Sequence, residues 1–144
     1  MLDQFRKNYE YDYWANDKFV KALAEMAQPP EKTAKILWHI LFARDVWLSR
    51  FADPYPPYIL SECRQKLDEL HEKWKKYLTN LKSENLSEKI TFANTQGKRF
   101  EHIVQNVLVH VVHHSHNHRG QLATLARQGE GKRPNTDYID MPLK

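Results

Sequence analysis

Apolar side chains recur along this chain at steps of three and four residues, interrupted by short clusters of proline, glycine and asparagine. Phe5, Tyr9, Tyr13, Asn16, Val20 and Leu23 trace one face of a helix predicted over about residues 3–27. Pro29-Pro30 stops it. A second helix is predicted from about residue 31 to 52, ended by Asp53-Pro54-Tyr55-Pro56-Pro57, because proline cannot continue the backbone ladder. A third runs over about 61–82 with Ser61 as its N-cap. Residues 83–98 carry Ile90-Thr91-Phe92 and then Asn94-Thr95-Gln96-Gly97, the pattern of a short hairpin. As the longest connection, it is also the expected rim of a site. The last helix is predicted over about 101–127 with Gly129 as its C-terminal glycine. The tail from Lys132 to Lys144, holding Pro134 and Pro142, reads as irregular chain. The expectation is an all-α protein, a four-helix bundle of antiparallel or mixed connectivity forming one domain over residues 1–144.

Composition narrows the function classes. The chain has 144 residues, 41% of them hydrophobic, so a sizeable core is available without disulfides. A single cysteine, Cys63, excludes an intramolecular disulfide and fits a reducing cytoplasm. There is no apolar run long enough for a membrane span, and Met1 to Asn8 shows no secretory h-region, so neither a membrane nor an export role is expected. The formal charge is +4, but Glu69, Glu72, Lys73, Lys75 and Lys76 show how acids and bases alternate. That describes solvated helix faces, and nucleic acid is a disfavoured partner.

Histidine changes the picture. Of eight, five (His110, His113, His114, His116 and His118) fall in one short stretch of the last helix. At 100° per residue, with His118 as origin, Val107, Val111, Val104, Leu122 and Leu125 lie within about 40° and His114 about 40° to the other side. His118 and His114 are therefore expected to face inward one turn apart. His110 falls on the flank, and His113 and His116 point towards solvent. Each inward imidazole needs a polar partner, and leaving it without one costs about 1–3 kcal/mol. A shared cation satisfies both, and i, i+4 is the spacing of a helical chelate. The intervening Ser115, His116 and Asn117 lack the glutamate base of a zincin, which argues against that class.

A third ligand is expected from another helix. His39, flanked on its own wheel by Ile36, Phe42, Ala43 and Val46, is the best candidate, whereas His71 lies in a charged run and His102 near the start of the last helix. Three histidines leave a coordination position open, and their nitrogens suit zinc, nickel or another late divalent ion. The second helix is apolar on its opposite side too, through Leu37, Leu41 and Leu48, which predicts cover from a second subunit or from the neighbouring loop or tail.

The segment His110-Val-Val-His-His114-Ser-His-Asn-His118-Arg-Gly-Gln121, with Leu37-Trp-His39-Ile and Tyr13-Trp-Ala-Asn16 before it, resembles the DinB-like (DinB/YfiT-type) family of bacterial four-helix-bundle metalloproteins. The resemblance runs the length of the chain, through Phe92-Ala-Asn94 and Pro134, Asp137 and Tyr138. It implies a bundle with a crossover in its middle connection, frequent homodimers, and a divalent ion, often nickel or zinc, held by His39, His114 and His118. His113 and Asn117 depart from the family pattern without touching those ligands.

Relatives of this kind include transferases and isomerases in which a low-molecular-weight thiol binds the metal as thiolate. The leading expectation is accordingly a metal-dependent enzyme of the thiol-dependent transferase or hydrolase type, acting on a small-molecule substrate with a cellular thiol as co-substrate. The alternative is a non-catalytic metal-binding protein of the stress response. Tyr9, Tyr13, Asn16 and Phe92 are the candidate pocket residues, with ordinary core packing as the competing reading. His110 is a candidate proton acceptor or orienting group. Gln121 is placed to hydrogen-bond a ligand imidazole and set its tautomer. Arg119 reads as a salt-bridge partner, and Gly120 as a point of close helix approach.

Overall fold

A computed structural model describes residues 1–51, 63–94, 96–128 and 133–142. Four helices dominate: α1 (Leu2–Ala24), α2 (Glu31–Ser49), α3 (Cys63–Asn80) and α4 (Val104–Gln128). A 3₁₀ turn at Ser83–Ser87 and a two-stranded antiparallel hairpin, β1 (Lys89–Ala93) with β2 (Arg99–Ile103), precede α4. The hairpin pairs Phe92 with Phe100 and Ile90 with His102. Its turn is closed by the Asn94 side chain, whose Oδ1 accepts from the backbone N–H groups of Gln96 and Lys98, and Gly97 takes a φ of 77° that disfavours a side chain. Strand β2 extends through Glu101, His102 and Ile103, so α4 begins later than its sequence pattern suggests. Helices α1 and α2 also end a few residues early. The expected stops at Asp53–Pro57, the cap at Ser61 and the terminator Gly129 lie outside the described residues.

Side-chain pairings fix the directions of the rods. Tyr9 meets Trp74, and Tyr13 meets His71 and Asp68, so α1 and α3 run antiparallel. Tyr9 reaches the Leu108 carbonyl while Asp12 and Asn16 reach Arg119, so α1 and α4 are parallel. His39 meets His114 and His118 while Trp47 meets His110, so α2 and α4 are antiparallel. The directions are up, down, down and up, and the parallel pair α2 and α3 defines a crossover bundle.

Helix α3 carries a clean stripe, with Leu67, Leu70, Trp74 and Leu78 all buried at i, i+3 and i+4 steps. Helix α2 buries Leu37, Ile40, Leu41 and Leu48 together with Arg44 and Asp45. Leu37, Leu41 and Leu48, for which the sequence predicts cover from a second subunit or from the neighbouring loop or tail, are thus core residues. The opposite side, with Ile36, Phe42, Ala43, Val46 and His39, is only half-buried. On α4 the buried set, from Val104 and Leu108 to Ser115, Arg119 and Ala126, centres about 60° from His118 on the wheel. Both corrections have the same consequence: the histidines stand at the edge of the core, beside a cleft between α2 and α4.

One polar cluster lies within the core. Asp12 of α1 forms ion pairs with both Arg44 of α2 and Arg119 of α4, and Arg119 also donates to Asn16 Oδ1 at 2.9 Å. All four side chains are no more than 2% exposed. Burial lowers the pKa of both guanidiniums, that of Arg44 to about 10, which still leaves the charge in place at neutral pH. One carboxylate therefore ties α1 to α2 and α4, the two helices that carry the three histidines.

Candidate metal centre

The structure brings His39, His114 and His118 together, with one nitrogen from each ring lying within 4.8 Å of the others. Ring centroids are 5.0 Å apart for His39 and His114, 4.6 Å for His39 and His118, and 4.5 Å for His114 and His118. The Nε2 atoms of His39 and His114 stand 3.2 Å apart. That distance serves either one N–H···N hydrogen bond or two lone pairs directed at a single cation. With bonds of about 2.05 Å and tetrahedral angles, two nitrogens on one zinc ion are about 3.3 Å apart, so the pair fits. The third ring argues for the cation, because a single shared proton leaves His118 outside the arrangement.

The tautomer of His118 is set from outside the cluster. Its Nδ1 lies 2.8 Å from Gln121 Oε1, an oxygen that can only accept, so Nδ1 carries the hydrogen and Nε2 keeps its lone pair. Burial first, then the neighbouring rings of His118, His39 and His110, push the pKa of His114 down to about 4. Burial and His118 lower that of His39 as well. Both rings are neutral at pH 7, the state a metal ligand needs. The cluster is half-buried and opens on the cleft, so three protein ligands leave space for a fourth from solvent.

The other candidate residues sit in varied surroundings. Tyr9 is core, donating to the Leu108 carbonyl at 3.3 Å and packed on Trp74. Tyr13 lies on the α1–α3 side, donating to Asp68 and stacked on His71. Asn16 belongs to the buried Asp12–Arg119 cluster. Phe92 stands by the far end of the histidine cleft, 5.2 Å from the Trp47 ring. His110 lies one turn along α4 from His114, with ring centroids 5.8 Å apart, and also faces Trp47. Burial, then His102, Arg50 and His113, lower its pKa. His113 and His116 are exposed. His71, expected at the surface, instead packs on Tyr13 within 3.5 Å of Glu10. Gly120 does not mark a close approach, for a Cβ there meets nothing within 4 Å. Cys63 is buried, and burial pushes its thiol up to about 11, so it is no ready thiolate.

Sequence reasoning missed Trp47 and Arg50. Arg50 stacks on the rings of Trp47 at 4.0 Å and Phe92 at 3.8 Å, which fixes the end of α2 against the hairpin. The signal was there in a Trp-x-x-Arg spacing that puts both on one helix face.

A helical bundle with three histidines converging from its second and fourth helices is a scaffold that could hold one divalent ion. The family comparison agrees: the DinB family model matches residues 1–143, and this chain belongs to the DinB family. It is also similar to the uncharacterized protein YrdA of Bacillus subtilis (strain 168), with 26% identity over 142 residues, covering 88% of this chain and 82% of that protein. Among the described residues, no helix is long and apolar enough to cross a membrane.

Proposed function

We propose that this protein is a divalent-metal enzyme of the thiol-dependent transferase or hydrolase type, with His39, His114 and His118 as ligands to zinc or nickel. The observation that carries the reading is the convergence of three imidazoles, those of His39 and His114 held neutral at pH 7, at a cleft open on one side. A divalent ion there lowers the pKa of a bound thiol or water, making a nucleophile available at neutral pH. The chain's own residues supply the rest. Gln121 holds the His118 tautomer, and the Trp47 and Phe92 rings form an apolar wall at the end of the cleft. His110, neutral at pH 7, offers a nitrogen that can take a proton from a group lying in the cleft.

A second subunit, if it covers α2, does so over the half-buried Ile36, Trp38 and Phe42 beside the metal ligands, because Leu37, Leu41 and Leu48 are already enclosed. Sedimentation at high micromolar concentration tests that assembly. The catalytic reading is tested by assaying zinc- and nickel-loaded protein for transfer of cellular thiols to electrophiles and for ester and amide hydrolysis. Turnover lost in His114→Ala supports it. Stoichiometric metal with no turnover across the panel favours a non-catalytic metal-binding role.

A further inference from the structure

One turn of α4 beyond His114, the cleft between α2 and the hairpin widens into a cavity of about 330 Å³ lined by Trp47, His102, Asn106, Val107 and His110. Its chemistry is one-sided. His102 and His110 each offer an imidazole N–H, Asn106 offers an amide, and among the described residues no carboxylate lines it. Arg50 is not itself a lining residue but stands close by, its guanidinium 4.0 Å from the Trp47 ring and 3.8 Å from the Phe92 ring and its charge acting on His110. Among the described residues, the charged or titratable neighbours that act on His110 are His102, Arg50 and His113, every one a base. Two other clefts are mixed. Glu10 and Asp17 accompany Lys7 in one, and Glu10 accompanies Arg6 and Lys75 in another. A recess of N–H donors with a guanidinium close by and, among the described residues, no acid in its lining favours an anion.

The flat aromatic wall and the position add to this. Trp47 gives the recess an apolar side against which a carbon skeleton can lie, and Val107 closes its floor. The ring of His110 is 5.8 Å from that of His114, so the recess and the histidine cluster are about one helical turn apart along α4. A ligand of short reach can occupy both.

We infer that this recess is a subsite for a carboxylate, received by the N–H groups of His102, His110 and Asn106 beside the Arg50 guanidinium, with Trp47 packing on the ligand's carbon chain. The ligand class that follows is a small organic acid whose other end bears a thiol or an electrophilic carbon about one helical turn away. That second half of the statement rests on the metal reading above, whereas the carboxylate subsite does not.

The test uses metal-free full-length protein, so that no ion can attract the acid. Nitrogen–proton NMR spectra are recorded while titrating 3-phenylpropionate and, separately, its uncharged amide. The expected result is saturable shifts of the Trp47 indole and Asn106 amide signals with the acid, with the amide binding at least roughly tenfold more weakly. Arg50→Gln should weaken the acid by about tenfold and leave the amide unchanged, while Arg50→Lys recovers part of the loss. His39→Ala should lose metal binding yet keep the acid titration. If protein that never takes up metal still shows that titration, the metal reading fails and the subsite stands. Equal binding of acid and amide, shifts that map away from Trp47 and Asn106, or acid binding only in metal-loaded protein overturns the subsite. Should Arg50→Gln fail to fold, the acid-against-amide comparison on the unaltered chain decides alone.

Discussion

Replacing Asp12 by alanine isolates the interaction that holds the metal-bearing helices in register. Its carboxylate is fully buried and shared by Arg44 and Arg119, which are 1% and 2% exposed. Removing one partner of a buried ion pair costs about 3–5 kcal/mol, because the remaining charge has lost its compensation without regaining water. Here two guanidiniums lose the same carboxylate, and Asn16 cannot replace its charge, so the upper half of that range, about 4–5 kcal/mol, is expected. Surface pairs give a contrasting scale of about 0–1 kcal/mol. The exposed Lys35–Glu31 pair belongs there. The assay is urea unfolding of metal-free protein followed by circular dichroism. With a urea slope of about 2 kcal/mol/M, the midpoint should fall by about 2 M. Asp12→Ala combined with Arg119→Met should be less destabilised than the sum of the single changes, because it removes one of the two stranded cations. A loss below about 1 kcal/mol for Asp12→Ala, or strict additivity in the double variant, would show that the two guanidiniums do not depend on this carboxylate.

Three further outcomes follow from the same geometry. With zinc at 100 times its dissociation constant, binding adds about 2.7 kcal/mol, or about 10 °C in melting temperature, to the parent chain. His114→Ala should gain less than about 1 °C, and elemental analysis of that variant should find no stoichiometric metal. Gln121→Ala should weaken metal affinity by about tenfold, the lower end for an orienting contact because Gln121 is exposed, and a competition titration against a chelator reads it. The lowered pKa values of His39, His110 and His114 mean that the unfolded chain binds more protons than the folded one between the ordinary histidine value of about 6.5 and the His114 value of about 4. Stability of the metal-free protein must then fall as pH drops through that window, so its melting temperature should be lower at pH 5 than at pH 7, and an unchanged or higher value contradicts the assignment.

Much of this architecture is legible in the sequence because it depends on local periodicity. The i, i+4 spacing of His114 and His118 survives any small error in the wheel, and the Asn94–Gly97 turn announces the hairpin before α4. Which face of a helix is core is harder to read. Helix α2 is apolar on both sides, and nothing in its hydrophobic pattern chooses Leu37, Leu41 and Leu48 over Ile36, Phe42 and Val46. The deciding residues are charged: Arg44 and Asp45 lie on the buried side, where a pattern of apolar positions alone puts nothing ionic. The same blindness hid the centre of α4, because Ser115 and Arg119 belong to its buried face and shift that centre away from His118. Glu101 to Ile103 read as helix yet join β2, since the pairing of Lys89 with Ile103 and Thr91 with Glu101 is a tertiary choice that overrides propensity. The candidate site survives these errors because its ligands lie at the border between buried and open, where a rotation of the wheel changes exposure but not proximity.

X-ray absorption on protein loaded with one equivalent of zinc examines the metal centre most directly. One tightly held ion is expected, with three imidazole nitrogens at about 2.0–2.1 Å and a fourth, exchangeable ligand that changes from oxygen to sulfur when a thiol is added. An ion surrounded by oxygen alone, or a spectrum unaltered by His39→Ala, would contradict it.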